Sequence, residues 1–134
     1  MKIRLVFAVV VCCVALLFGS QAIAGEKEVL GALEKIKSGV EEGVPYEVYE
    51  KMLADVKAAL DALKKEGYSN YCFINEVELS HTYYYLGMFN WLSMNKTEEE
   101  VRKQEVRDLR DAAWQRAKER LEMAYECLKP RPSP

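Results

Sequence analysis

Three groups of side chains in this chain are of types that do chemistry: its one histidine, a crowd of aromatics around it, and two cysteines far apart in sequence. His81 has Glu78 three residues before it and Tyr84 and Tyr85 three and four residues after it. On a helix those positions are neighbours, so the group is a candidate acid/base or ligand cluster. A lone histidine with no second histidine and no free cysteine makes a poor metal site, because zinc takes four ligands drawn mostly from those two residues. The reading we adopt for His81 is a ring on a buried face, hydrogen-bonded to a neighbour. The chain carries no glycine-rich phosphate loop, no haem-attachment motif, no Gly-x-Ser-x-Gly and no paired carboxylates in a defined setting. It therefore reads as non-enzymatic and without a cofactor.

Tyr83, Tyr84 and Tyr85 are consecutive, and Tyr68, Tyr71, Phe73, Phe89 and Trp91 lie close by in sequence. Such side chains fill cores and also line recognition surfaces. Three consecutive tyrosines on a helix point in different directions, so at least one faces solvent or a partner. His81, Tyr83, Tyr84, Tyr85, Met88 and Trp91 make up the candidate binding set, with a protein or peptide as the expected partner. A different class of function is a carrier of a small hydrophobic ligand, its cavity lined by Met52, Met88 and the tyrosines. Asn95-Lys96-Thr97 matches the glycosylation acceptor pattern, a short motif that matters only in a eukaryotic source.

The two chemical cysteines are Cys72 and Cys127; Cys12 and Cys13 belong to a different kind of segment. Lys2 and Arg4 precede an unbroken apolar run from Leu5 to Phe18, and Ala22-Ile23-Ala24 supplies the small-x-small pattern that signal peptidase reads. The pattern predicts cleavage after Ala24 and a periplasmic or secreted product with no stable membrane anchor. The apolar run is shorter than the roughly 17–25 residues a spanning helix needs. In an oxidising compartment an even pair of cysteines predicts a Cys72–Cys127 disulfide. Removing Lys2 and Arg4 from 19 basic residues leaves 17 against 21 acidic ones, a formal charge of −4. That balance argues against nucleic acid, whose binders show a basic excess.

The elements that must position these groups are all helical by periodicity. Residues 25–129 form one predicted domain, and Pro130, Pro132 and Pro134 end it in a tail predicted to be disordered. The first helix, from about Glu26 to Glu42, sets Val29, Leu33, Ile36 and Val40 on one face and stops at Gly43-Val44-Pro45. The second, about Tyr46 to Glu66, presents Tyr49, Met52, Leu53, Val56, Leu60 and Leu63. The third, about Tyr71 to Met94 and capped by Ser69 or Asn70, is apolar most of the way round. Such a helix is either the most buried or an interaction surface. Thr97 and Glu100 read as a capping box for a fourth helix ending near Lys129, with an apolar stripe through Val106, Leu109, Ala113, Ala117, Leu121, Ala124 and Leu128.

A disulfide joining the start of the third helix to the end of the fourth fixes the register of an antiparallel hairpin. It sets Gly87 opposite Ala112 and requires the stretch from Lys96 to about Gln104 to be more than the straight start of the last helix. The fold class is thus all-α, a four-helix bundle or two stacked helical hairpins. Tyr83, Leu86 and Gly87, followed by Ala117, Leu121, Ala124 and Pro130, resemble the two helices of a tetratricopeptide repeat over residues 80–130. The chain departs from that repeat in the longer spacing between the two halves and in having no second copy upstream. The resemblance implies a peptide- or protein-binding adaptor with a concave helical face.

Overall fold

The computed structural model describes residues 25–133, so the leader with Cys12 and Cys13, its cleavage site and Pro134 lie outside the described residues. Four helices follow one another: α1 (25–42), α2 (Tyr46–Lys65), α3 (Tyr71–Asn95) and α4 (Glu100–Cys127). There is no strand among the described residues. The all-α expectation holds, and the cross-contacts give the bundle its order. Gly39 of α1 lies against Met52 of α2, Tyr46 of α2 against Trp91 of α3, and Ser80 of α3 against Ala117 of α4. The ring closes where Lys118 of α4 pairs with Glu41 of α1 at 3.0 Å and Tyr125 bonds Glu34. Successive helices run antiparallel, so each packs against two neighbours around one core.

The turns follow from local chemistry. Gly43 adopts φ +75°, a left-handed conformation open to glycine, and the Val44 N–H reaches back to Gly39 O at 3.0 Å. This is the six-to-one bond of a Schellman ending, which satisfies a carbonyl α1 leaves free. Pro45 then caps α2 with φ −59° and ψ 152°, an angle its ring already holds. At the start of α3 the Asn70 side chain accepts from Phe73 N–H at 3.1 Å, and its amide donates to Cys127 O at 3.1 Å. One asparagine therefore caps one helix and ties down the end of another, beside the disulfide. That bridge joins Cys72 to Cys127 with their Cα atoms 5.7 Å apart, as predicted.

Three details of the last hairpin differ from the sequence reading. The turn is only Lys96–Glu99, and α4 is helical from Glu100. Thr97 does not cap α4: its hydroxyl donates back to Ser93 O at 2.9 Å, and Glu99, without a side-chain bond, holds the N-cap position. The orphan carbonyls at the end of α3 lie within reach of this hydroxyl, while the free N–H groups of α4 begin three residues later. Gly87 faces the Trp114 indole rather than Ala112, and a Cβ on it would overlap the ring.

The buried core is Val29, Leu33, Ile36, Tyr49, Val56, Leu63, Phe73, Val77, Tyr84, Ala117, Leu121 and Ala124, with their neighbours. Leu109 is not part of it; at 59% exposure it points outward. Trp114 takes the inward room at that end of α4, packing edge-on against Trp91 at 6.3 Å and tilted on Tyr49 at 6.1 Å.

Candidate functional site

The α3 helix has two opposite characters on its two sides. Its inner side is braced by polar bonds to both neighbouring helices. Ser80 Oγ donates to Ala117 O of α4 at 2.8 Å. His81 Nε2 lies 3.0 Å from Leu53 O of α2, and because a carbonyl only accepts, Nε2 carries the hydrogen. Tyr49 Oη donates to Tyr84 O and itself accepts from Trp114 Nε1–H at 3.1 Å, so a three-helix relay runs α4 to α2 to α3. Each bond replaces water that burial removes, without which these polar groups would cost stability.

Burial also sets the ionisation of this side. It holds the His81 imidazole below its ordinary value, opposed by the bond to Leu53 O, reinforced by Lys57 and offset by Asp61. Burial raises the Tyr49 and Tyr84 phenols well above the usual tyrosine range. Tyr84 Oη is buried with no protein partner. These groups stay neutral through the physiological range.

The outer side of α3 is polar over its first half, at Asn75, Glu78 and Thr82, and exposes apolar side chains beyond them. Tyr85 is 55% exposed, Leu86 45% and Phe89 59%. Tyr85 and Phe89 are one turn apart, and Leu86 lies three residues before Phe89, so the three form one patch. Tyr71 continues the same side towards the disulfide. Helical geometry forces the three tyrosines apart, and the bonds of the inner side decide which of them faces in. Tyr83, Tyr84 and Tyr85 step round the axis, so Tyr84 enters the core, Tyr83 is half-buried under the Arg116 guanidinium at 5.9 Å, and Tyr85 faces out.

The six residues of the predicted binding set are therefore not brought together. Tyr84 and Met88 are sealed in the core, where no partner reaches them. His81 is occupied by a backbone carbonyl, and Trp91 is half-buried among Tyr46, Tyr49 and Trp114. Tyr85 is exposed, and Tyr83 forms the edge towards α4. Of the residues expected to line a ligand cavity, Tyr84 and Met88 are packed into the core. Met52 borders a groove between α1 and α2 with Lys27 and Asp55, and neither Met88 nor a tyrosine lines it. A further depression of about 690 Å³ lies at the disulfide end, bordered by Tyr71, Cys72, Met123 and Arg131. Among the described residues no three histidine, cysteine or acidic side chains are grouped to hold a metal ion, and no helix is long and apolar enough to cross a membrane.

Sequence reasoning counted Phe89 among the aromatics but left Leu86 and Phe89 out of the binding set, and it passed over Trp114 altogether. The clue was available: Trp114 carries an N–H that needs an acceptor when buried, and Tyr49 was the nearest polar group on an otherwise apolar face. Of the residues that carry the tetratricopeptide resemblance, Gly87, Ala117, Leu121 and Ala124 are buried, Tyr83 is half-buried and Leu86 points away. Comparison with protein-family models, with curated proteins and with solved structures found no match to the chain.

Proposed function

We propose that this protein is an exported, non-enzymatic interaction module that recognises a protein or peptide through the outer side of α3. The observation that carries the reading is the patch of Tyr85, Leu86 and Phe89. A monomeric surface normally scatters its large apolar groups, whereas contiguous ones mark docking sites. Aromatic residues are enriched at the energetic centres of such sites. Export is the proposed setting because the leader and the disulfide agree with an oxidising compartment. His81 and its neighbours act as bracing on this reading, which is why no catalytic role is assigned to them.

The test is affinity capture from the native periplasm or secretion medium, with the parent protein compared against Tyr85→Ser/Phe89→Ser. Both positions are exposed, so the variant folds with the parent's circular dichroism spectrum and melting temperature. A defined polypeptide retained by the parent and lost by the variant supports the reading. Equal retention by both, or none by either, ends it.

A further inference from the structure

Six positions run in a single line along the outer side of α4: Arg102, Glu105, Leu109, Ala112, Arg116 and Glu119, and all six are exposed. Their spacing of three, four, three, four and three residues is the seam spacing of paired helices. The line carries a second regularity. Read backwards, it sets every base against an acid and the leucine against the alanine. Two copies of α4 laid antiparallel would bring Arg102 to the partner copy's Glu119, Glu105 to its Arg116 and Leu109 to its Ala112, each pair occurring twice.

We infer that two copies of this chain pair in this way, around a two-fold axis at the level of Arg110 and Asp111. The inference goes beyond the reading of the outer side of α3 as a docking face: it concerns the exposed line of α4 and names a second copy as its occupant. Charge is the first support. Glu105, Arg116 and Glu119 take part in none of the ion pairs found among the described residues, and Arg102 is paired only with Glu99, an exposed pair. Exposed charges of both signs, ordered as their own complement and mostly without an ion partner, fit a copy of the same surface better than an unrelated one.

Shape is the second support. Ala112 sits in a depression of about 410 Å³ bordered by Tyr83, Gln115 and Arg116. Leu109, 59% exposed, is the side chain that the pairing delivers to this hollow from the partner copy. Leu86 of α3, also exposed, lies three residues beyond Tyr83 on the same helix. The contact thus has apolar groups at the axis and charged groups towards its ends, the layout of a specific interface.

Sedimentation equilibrium on the purified chain with its disulfide intact tests this, over a concentration series at low and at raised salt. A dimer that weakens with salt is expected. Glu105→Arg alone sets like charges together at two symmetric places and raises the dissociation constant at least about a hundredfold, as does Arg116→Glu alone. The double exchange Glu105→Arg/Arg116→Glu restores the pairs and brings the constant back to within about tenfold of the parent. A monomer at every concentration overturns the inference, and so does a dimer indifferent to the single reversals or not rescued by the exchange. A monomer that still captures a polypeptide through Tyr85 and Phe89 overturns the pairing and leaves the docking face standing. A rescued dimer with no such capture confirms the pairing and removes the other partner.

Discussion

The two hairpins of this bundle contribute equally to the core and differ sharply outside it. In the described residues, the exposed large apolar side chains on α1 and α2 come down to Val48. On α3 and α4 they are Tyr71, Tyr85, Leu86, Phe89, Val101, Leu109, Met123 and Tyr125. The first hairpin is an ordinary amphipathic pair, with apolar residues facing in and Lys, Glu and Asp facing out. The second holds apolar residues on both sides and is the one with a covalent staple, a shared asparagine and side-chain bonds into neighbouring backbones. Hydrophobic burial specifies orientation only when one side is polar. A helix apolar all round has several rotations of similar burial, and directional bonds remove the ambiguity. Ser80, His81 and the Tyr49–Tyr84 bond fix which side of α3 faces inward, leaving the outer side free for another use.

Removing the staple is the largest expected perturbation of that contrast. Closing this loop is worth about 4 kcal/mol on the chain-entropy account, a large share of the stability of a domain this size. Cys72→Ser/Cys127→Ser should lower the urea midpoint accordingly, and hydrogen exchange should quicken first in the last turns of α4, where Asn70 also holds Cys127. An unchanged midpoint would show that packing alone sets the register of the second hairpin.

A pair of glycines gives a sharper and smaller comparison. Gly87 lies against Trp114, where a Cβ would overlap the indole ring, whereas Gly31 on α1 has nothing within 4 Å of where a Cβ would stand. Gly87→Ala forces the tryptophan to move, at a cost of about 1–3 kcal/mol. Gly31→Ala gains about 0.5–1 kcal/mol of helix propensity with no steric charge against it. Opposite signs in thermal unfolding are expected. Equal effects would mean that the second hairpin is no more tightly fitted than the first.

Much of this was legible in the sequence, because four amphipathic periods, two glycine stops and an even cysteine pair are local signals. Val29, Leu33 and Ile36 recur at helical spacing, and nothing competes with their burial. The site was less legible for the same reason. The α3 helix has only the short polar line of Asn75, Glu78 and Thr82 to mark its outside, so Tyr84 and Tyr85 are alike in sequence while one is buried and the other exposed. What separates them is the set of long-range bonds from Ser80, His81 and Tyr49, whose partners lie 28 to 37 residues away. The misplaced Leu109 has the same origin. It fits the period of α4 as well as its neighbours do, but Trp114 is the side chain packed inward at that end while Leu109 is exposed.

The smallest effect concerns the one brace in this set that carries an imidazole, whose ordinary value lies near neutrality. His81 joins α3 to α2, the junction between the two hairpins, whereas the α3–α4 contact rests on a disulfide and on Ser80. Burial holds the imidazole below its ordinary value of 6.5, with Lys57 adding to the shift and the Leu53 carbonyl and Asp61 opposing it. The folded state therefore prefers the neutral ring. Above the unfolded value both states are neutral and the contribution is complete. As the pH falls from there towards the lowered native value, the unfolded chain binds the proton first and stability declines. Below the native value the loss is constant. Comparing the parent with His81→Gln between about pH 8 and pH 5 isolates the effect, since glutamine can also donate to Leu53 O and does not titrate. The parent should lose stability relative to the variant across that interval, with exchange rising at the α2–α3 contact before the α3–α4 one. Parallel curves would remove His81 from the junction and make the two hairpins alike in their response to acid.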